Sequence, residues 1–173
     1  MNLKTIITVW FSIIFLMSFG IPENLEKKVD REVKDVFEID SYKFEKVNVS
    51  EEIKSKIPSK IDDENFFRIN SKGKVKGYVY LDKAPSKTAD FDYLVIFDHN
   101  LKIARTKVLI YREEYGGEIG SKRWLKQFTG KSGEDSLDDI AAISGATISV
   151  RSMTNAVKDI LKTMKILQIK KVI

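Results

Sequence analysis

The sequence contains no cysteine and a single histidine among its 173 residues. Without cysteine there can be no disulfide, no thiolate zinc site, no cysteine-ligated iron–sulfur cluster and no haem attached through Cys-x-x-Cys-His. The histidine, His99, lies in Asp98-His99-Asn100, which reads as a turn. There a lone imidazole is far more often a surface residue than a ligand or a catalytic base. No metal site and no histidine-dependent triad is therefore expected, and any redox chemistry must come from an organic cofactor. The chain also lacks internal repeats, low-complexity tracts and a block of one charge sign. Its 30 Lys+Arg stand against 25 Asp+Glu, a formal net charge of +5, and the two signs alternate, as in Glu26-Lys27-Lys28-Val29-Asp30-Arg31-Glu32. A nucleic-acid binder gathers its basic residues on one face. This charge reads instead as a solvated, lysine-rich surface, and no nucleic-acid partner is expected.

What is present describes a soluble globular protein: 43% hydrophobic and 32% charged residues, in a length that suits one domain plus an N-terminal appendage. The appendage is Met1 to Gly20. Lys4 supplies a short basic region, Thr5 to Phe19 an apolar one, and Ser18-Phe19-Gly20 a small-x-small cleavage site. The charge-free stretch from Thr5 to Pro22 is also about the minimum that can span a bilayer. A cleaved signal peptide and an uncleaved membrane anchor both fit, a buried core helix less well, and a lipoprotein is excluded because no cysteine can be acylated. Either favoured reading makes residues 1–20 a targeting or anchoring segment. Residues 21–173 are then an exported domain, periplasmic or held at the outer side of the cytoplasmic membrane.

In the exported part, Leu25, Val29, Val33 and Val36-Phe37 recur at helical spacing among charges, with Pro22 placed near the start. Tyr42 to Lys60 reads as a short strand and a polar connection. Lys74 to Leu81 is a β-branched and aromatic strand whose alternation a glycine interrupts, and Asp92 to Asp98 is a continuous apolar strand suited to burial on both faces. Asp98-His99-Asn100 turns the chain into a returning strand, Ile103 to Tyr111. Lys122 to Thr129 reads as a short helix with Trp124, Leu125 and Phe128 on one side. A final helix runs from about Ile148 to Leu167, with Val150, Met153, Val157, Ile160, Leu161, Met164 and Leu167 facing a core. The expected fold class is α+β: an antiparallel sheet packed by helices from both ends of the domain, preceded by the apolar signal or anchor segment.

Chemistry can be argued at the turn before that helix, Ala142-Ile143-Ser144-Gly145-Ala146-Thr147-Ile148-Ser149. Small residues let backbone approach a ligand closely, and glycine reaches dihedrals that other residues avoid. A helix starts directly afterwards, with free N–H groups and the positive end of its dipole. Together these make a ready site for a phosphate, with the hydroxyls of Ser144, Thr147 and Ser149 around it. Ser and Thr before a helix are also ordinary N-caps, so the tetrapeptide taken alone fits either reading.

Ser144-Gly145-Ala146-Thr147 followed by Ile148-Ser149 closely resembles the signature of the FMN-binding domain family. That family includes flavin-carrying subunits of the sodium-translocating NADH:quinone reductase, those of its ferredoxin-oxidising relatives, and small stand-alone exported proteins. The resemblance extends upstream to the strand and acidic, glycine-containing turn of Val108 to Gly120, and to Trp124-Leu125-Lys126-Gln127-Phe128-Thr129-Gly130-Lys131. It covers roughly Gly73 to Ile160. It implies an FMN cofactor whose phosphate can be joined by a phosphoester to the motif threonine, here Thr147, by a separate flavin transferase using FAD. It further implies that the turn carrying Glu114, Gly116 and Gly117 approaches the isoalloxazine ring. Trp124 and Phe128 either pack beside that ring or serve as plain core aromatics. In two places the chain departs from the family pattern. Ala141 stands where an Asp or Asn usually precedes the motif serine by three residues, with Asp138 and Asp139 nearby but out of register. Glu114-Tyr115-Gly116-Gly117 replaces the Glu-Thr-Pro-Gly of the respiratory subunits, as in the stand-alone branch.

The function so implied is an electron carrier rather than an enzyme, working outside the cytoplasmic membrane with membrane or periplasmic redox partner proteins. The alternatives are an exported flavin reductase holding FMN non-covalently and a flavin-free scaffold module of an envelope complex.

Overall fold

The computed structural model describes residues 21–173. The expected signal or anchor segment, residues 1–20, lies outside them. Five strands form one antiparallel sheet in simple chain order, β1-β2-β3-β4-β5: β1 Lys43–Lys46, β2 Phe66–Ser71, β3 Lys74–Pro85, β4 Asp90–Asp98 and β5 Ile103–Ile110. Helix α1, Glu23–Phe37, precedes the sheet, and helix α4, Thr147–Ile169, ends the domain. Between β1 and β2 lies a single helical turn, α2 (Glu51–Lys54). After β5 come a 3₁₀ turn (Gly117–Gly120), helix α3 (Lys122–Leu125) and a second 3₁₀ turn (Lys126–Phe128). The expected α+β class and its two terminal helices are therefore present. Among the described residues no helix is long and apolar enough to cross a membrane.

The two helices take opposite faces of the sheet. Leu25, Val29 and Val33 of α1 are buried against Phe67, Ile69, Val79, Leu81, Leu94, Ile96 and Leu109. On the other face Met153, Val157, Ile160, Leu161, Met164 and Leu167 of α4 pack with Trp124 and Phe128 onto Phe66, Tyr78, Tyr80, Phe91, Tyr93, Val95 and Phe97. Successive side chains of a strand point to opposite faces, so β4 sends Leu94 and Ile96 to one helix and Tyr93, Val95 and Phe97 to the other. A strand covered on both sides needs apolar residues at every position, and that need accounts for its unbroken run. Ion pairs fix α1 laterally: Arg105 of β5 meets Glu32 at 2.8 Å and Asp35 at 2.5 Å, and Lys107 meets Glu32 at 3.3 Å. Lys28 Nζ donates to Leu109 O at 2.7 Å.

Three features depart from the sequence expectation. β2 fills a stretch where no strand is expected. The aromatic segment breaks into one short helix flanked by 3₁₀ turns, although Trp124, Leu125 and Phe128 are buried together as anticipated. α4 begins at Thr147, one residue earlier than expected, which makes the motif threonine its first helical residue.

Candidate functional site

Ile143 to Ala146 form a tight turn closed by Ala146 N–H donating to Ile143 O at 3.2 Å. Gly145 takes φ +79° with nothing within 4 Å of where a Cβ would sit, so backbone conformation and not space demands glycine here. Helix α4 then starts without a side-chain cap and with no acid in its first turn. Its first internal bond is Val150 N–H to Ala146 O, 2.9 Å. The amides of Thr147, Ile148 and Ser149 consequently reach no protein acceptor among the described residues. A helix of 23 residues thus presents an uncompensated positive end. Ser144 and Thr147 are exposed, and neither hydroxyl is engaged, whereas Ala146 is buried beneath them.

The acidic turn is brought directly against this helix start. Gly116, at φ +81°, packs on Ala146, and a Cβ added there would lie 2.9 Å from Ala146 Cβ and 3.0 Å from Tyr111 Oη. Only glycine permits this approach. Tyr111, at the end of β5, ties the two pieces together: its hydroxyl donates to Tyr115 O at 3.2 Å and pairs with Ser149 Oγ at 3.0 Å. Ser149 is buried, so its hydroxyl serves that link. Gly117 opens the 3₁₀ turn with nothing near it, and Glu114 is exposed without an ion-pair or hydrogen-bond partner among the described residues.

The neighbouring acid, Glu113, is the structural one. Its carboxylate accepts from Ser86 Oγ, from Thr88 N–H at 2.6 Å, from Thr88 Oγ1 at 2.8 Å and from Ala89 N–H at 3.2 Å, clasping the β3–β4 hairpin. These bonds, first from Ser86 and then from Thr88, hold its pKa down at about 2. Beside it Arg112 donates to Asp90 O at 2.6 Å and meets Asp92 Oδ2 at 2.5 Å. Asp92 Oδ2 is buried with no directed hydrogen bond; the distance identifies an ion pair whose donor is misaligned.

Trp124 and Phe128 are core aromatics, buried and edge-to-face with ring centroids 5.3 Å apart. Trp124 also reaches the loop before the motif, where its Nε1–H donates to Ala141 O at 2.7 Å, and Ala141 N–H donates to Gln127 Oε1 at 2.8 Å. The backbone at Ala141 is thus pinned on both sides whatever its side chain. Of the out-of-register acids, Asp139 pairs with Lys131 at 3.1 Å and Asp138 accepts from Ser136 Oγ at 2.7 Å.

Several clefts lie away from the turn, and two of them hold charged or titratable side chains next to β5 and α4. One, of about 310 Å³, sits between α1, β5 and α3, and its Arg105 and Lys107 are already committed to Glu32 and Asp35. The other, of about 300 Å³, runs between the end of β3 and α4 and includes Tyr80, Tyr93, Asp82 and Asp159. Burial, reinforced by neighbouring acids, raises both phenols above their ordinary range. They remain neutral, and Tyr80 donates to Asp82 at 2.6 Å. Among the described residues no cluster of His, Cys, Asp and Glu is placed to hold a metal ion.

The donors left free at the start of α4 fit a phosphate: three unshared amides, two unshared hydroxyls, a helix dipole and no competing carboxylate in the first turn. No curated protein matches the chain. Residues 66–162, more than half of it and spanning β2 to the middle of α4, match the family described as the FMN-binding domain. The protein belongs to the FMN-binding domain family, and its cofactor is FMN.

Proposed function

We propose that this protein carries electrons, with FMN joined through its phosphate to Thr147 Oγ1, in a domain exported to the outer side of the cytoplasmic membrane. The observation that carries the reading is the state of Thr147. It is exposed, its hydroxyl is unshared, and it opens a helix whose first three amides are unpaired. A phosphate esterified there rests at the positive end of α4, an arrangement that typically contributes about 0.3–1 kcal/mol when exposed and up to about 2 kcal/mol when partly buried. The bond forms when Thr147 Oγ1 attacks the riboflavin-side phosphorus of FAD on a flavin transferase. AMP leaves, and the hydroxyl proton passes to the transferase or to solvent. When bound, the flavin supplies one- and two-electron redox chemistry. The chain supplies the tether, the anion site and the surroundings of the ring. Export is supported by the basic and apolar pattern of Met1 to Gly20, and it gives the covalent bond a purpose, since a dissociated FMN could not easily be replaced outside the membrane. The redox partners are then membrane or periplasmic proteins.

The test directs the full chain to the periplasm with and without a co-expressed flavin transferase. Boiled samples are separated on a denaturing gel and viewed under ultraviolet light. Flavin fluorescence on the band should require both the transferase and Thr147, with Thr147→Ala dark and Thr147→Ser still fluorescent. Yellow native protein that gives a dark band would replace this reading with non-covalent FMN, and with it the reductase alternative. Colourless protein in the presence of the transferase would defeat the carrier reading altogether.

A further inference from the structure

We propose that the domain stands on the membrane with its flavin end against the lipid surface, held there by the short connection to its N-terminal segment. This inference rests on the exported-carrier reading, with residues 1–20 as an uncleaved anchor, and adds an orientation that the family match does not supply.

The direction of α1 follows from its contacts with β5. Asp35 and Glu32 meet Arg105, Glu32 also meets Lys107, and Lys28 Nζ donates to Leu109 O. Residue numbers fall along the helix as they rise along the strand, so α1 runs antiparallel to β5 and starts where β5 ends. Ile21 and Leu25 continue the trend, buried in the cluster that holds Leu109 and Ile110. At its other end, Phe37 Cζ lies 2.8 Å from where a Gly77 Cβ would sit, near the start of β3.

The candidate site is built at the end where α1 starts. Tyr111, just beyond β5, pairs with Ser149, and Gly116 packs on Ala146. Glu113 clasps Ser86 and Thr88 in the β3–β4 hairpin, and Ser152 Oγ donates to Pro85 O at the end of β3. The β2–β3 hairpin and the β4–β5 turn with Asn100 lie at the opposite end of the sheet. By the α-helical rise per residue, the 15 residues of α1 separate the two ends by about 22 Å.

The entry of the chain has no slack. Ile21 is 4% exposed and α1 begins at Glu23, so the backbone is fixed to the domain directly after the apolar segment. Since one residue spans at most about 3.6 Å, an anchor ending at Gly20 keeps the lipid surface beside Ile21. A flavin esterified to Thr147 then faces the headgroups, and electrons enter or leave it at the membrane surface, from partners embedded there. Tyr115, the most exposed large hydrophobic side chain among the described residues, belongs to the turn at this end. Tyrosine is a residue that membrane–water interfaces favour.

The lack of cysteine makes the orientation measurable with single labels. Lys87→Cys at the flavin end, and Lys74→Cys and Asn100→Cys at the other, all replace exposed residues. Each full-length variant is labelled with a fluorophore and reconstituted into phosphatidylcholine–phosphatidylglycerol vesicles containing a headgroup-spin-labelled lipid as quencher. The label at position 87 should lose most of its emission, and those at positions 74 and 100 should keep theirs. In protein loaded by the transferase, the flavin's own emission should fall with the label at position 87. A spacer of about 20 Gly and Ser residues between Gly20 and Ile21, with a root-mean-square span of about 25 Å, should abolish the difference between the ends. Equal emission at the two ends of the unspaced chain, or a greater loss at positions 74 and 100, overturns the orientation. Quenching at position 87 that survives the spacer overturns the part given to the short connection. Recovery of the chain from the soluble fraction without residues 1–20 overturns the proposal outright and leaves soluble periplasmic partners. The carrier reading fails separately: protein that takes up no flavin defeats it, while the labels still report which end meets the lipid.

Discussion

Tyr111 and Glu113, two residues apart just beyond the end of β5, show how the site is assembled from contacts that no local sequence pattern announces. Tyr111 meets Ser149 across 38 positions of sequence, and Glu113 clasps Ser86 across 27. The contiguous motif Ser144-Gly145-Ala146-Thr147 was legible because its chemistry is local: a glycine at positive φ, small residues and a helix start. In the sequence Glu114 stands out through its place beside Gly116-Gly117, yet Glu113 is the acid that holds structure, and only the fold distinguishes them. Glu113 also gives this region a pH dependence with a definite sign. Its folded-state pKa is lowered from 4.5 to about 2 by hydrogen bonds from Ser86 and Thr88. Stability from the clasp is then fully present above about pH 4.5, falls as pH drops below that, and is gone near pH 2. Thermal midpoints of wild type and Glu113→Gln between pH 6 and pH 2 should differ most at the upper end and converge at the lower. Parallel curves across that range would show that the carboxylate charge does not hold the hairpin.

Most of the elements could be read from hydrophobic period: α1, β3, β4, β5 and α4 lie where their apolar spacing places them. β2 could not, because Phe66 and Phe67 point to opposite faces of the sheet and Arg68, Asn70 and Ser71 hide the alternation. Its identity as a strand comes from pairing with β1 and β3 on either side, which is tertiary information. The aromatic segment is too short to propagate a helix and takes its shape from burying Trp124 and Phe128. Gly77, which breaks the alternation of β3, has a reason that sequence alone does not show. A Cβ there would lie 1.9 Å from Phe97 O on β4 and 2.8 Å from Phe37 Cζ at the end of α1. The glycine lets β4 and the closing aromatic of α1 approach the same point. Gly77→Ala should therefore cost about 3 kcal/mol, the upper end of overpacking penalties, read as a lower urea midpoint at unchanged slope. Adding Phe37→Leu should not restore it, because the first clash is with backbone. An alanine variant of wild-type stability would mean that β3 and β4 can separate locally at no cost.

At the scale of the whole molecule, the family match begins at Phe66, but the folded body begins with α1. That helix buries Leu25, Val29 and Val33 on the sheet face opposite α4. Full burial of such side chains contributes about 1.5–3 kcal/mol each, so the three together supply roughly 5–9 kcal/mol. That is comparable to the entire net stability of a typical domain, about 5–15 kcal/mol. Without α1, Val79, Leu94 and Ile96 would face water across the middle of the sheet, and Glu32 would no longer neutralise Arg105 and Lys107. A chain starting at Phe66 is accordingly expected to aggregate or to bind a hydrophobic dye, although it retains every residue of the motif. Val29→Asp in the otherwise intact chain should do the same, since it places a charge at a fully buried position. Arg31→Ala, on the exposed side of the same helix, should change nothing. Size-exclusion profiles and dye fluorescence of these three proteins separate the possibilities. If the shortened chain is monomeric and cooperative in urea, the face opposite α4 does not need its cover, and α1 is an appendage. If the shortened chain and Val29→Asp both fail while Arg31→Ala behaves as wild type, α1 is a structural half of the domain. The motif turn and its helix then depend on a sheet that is stable only when covered on both faces.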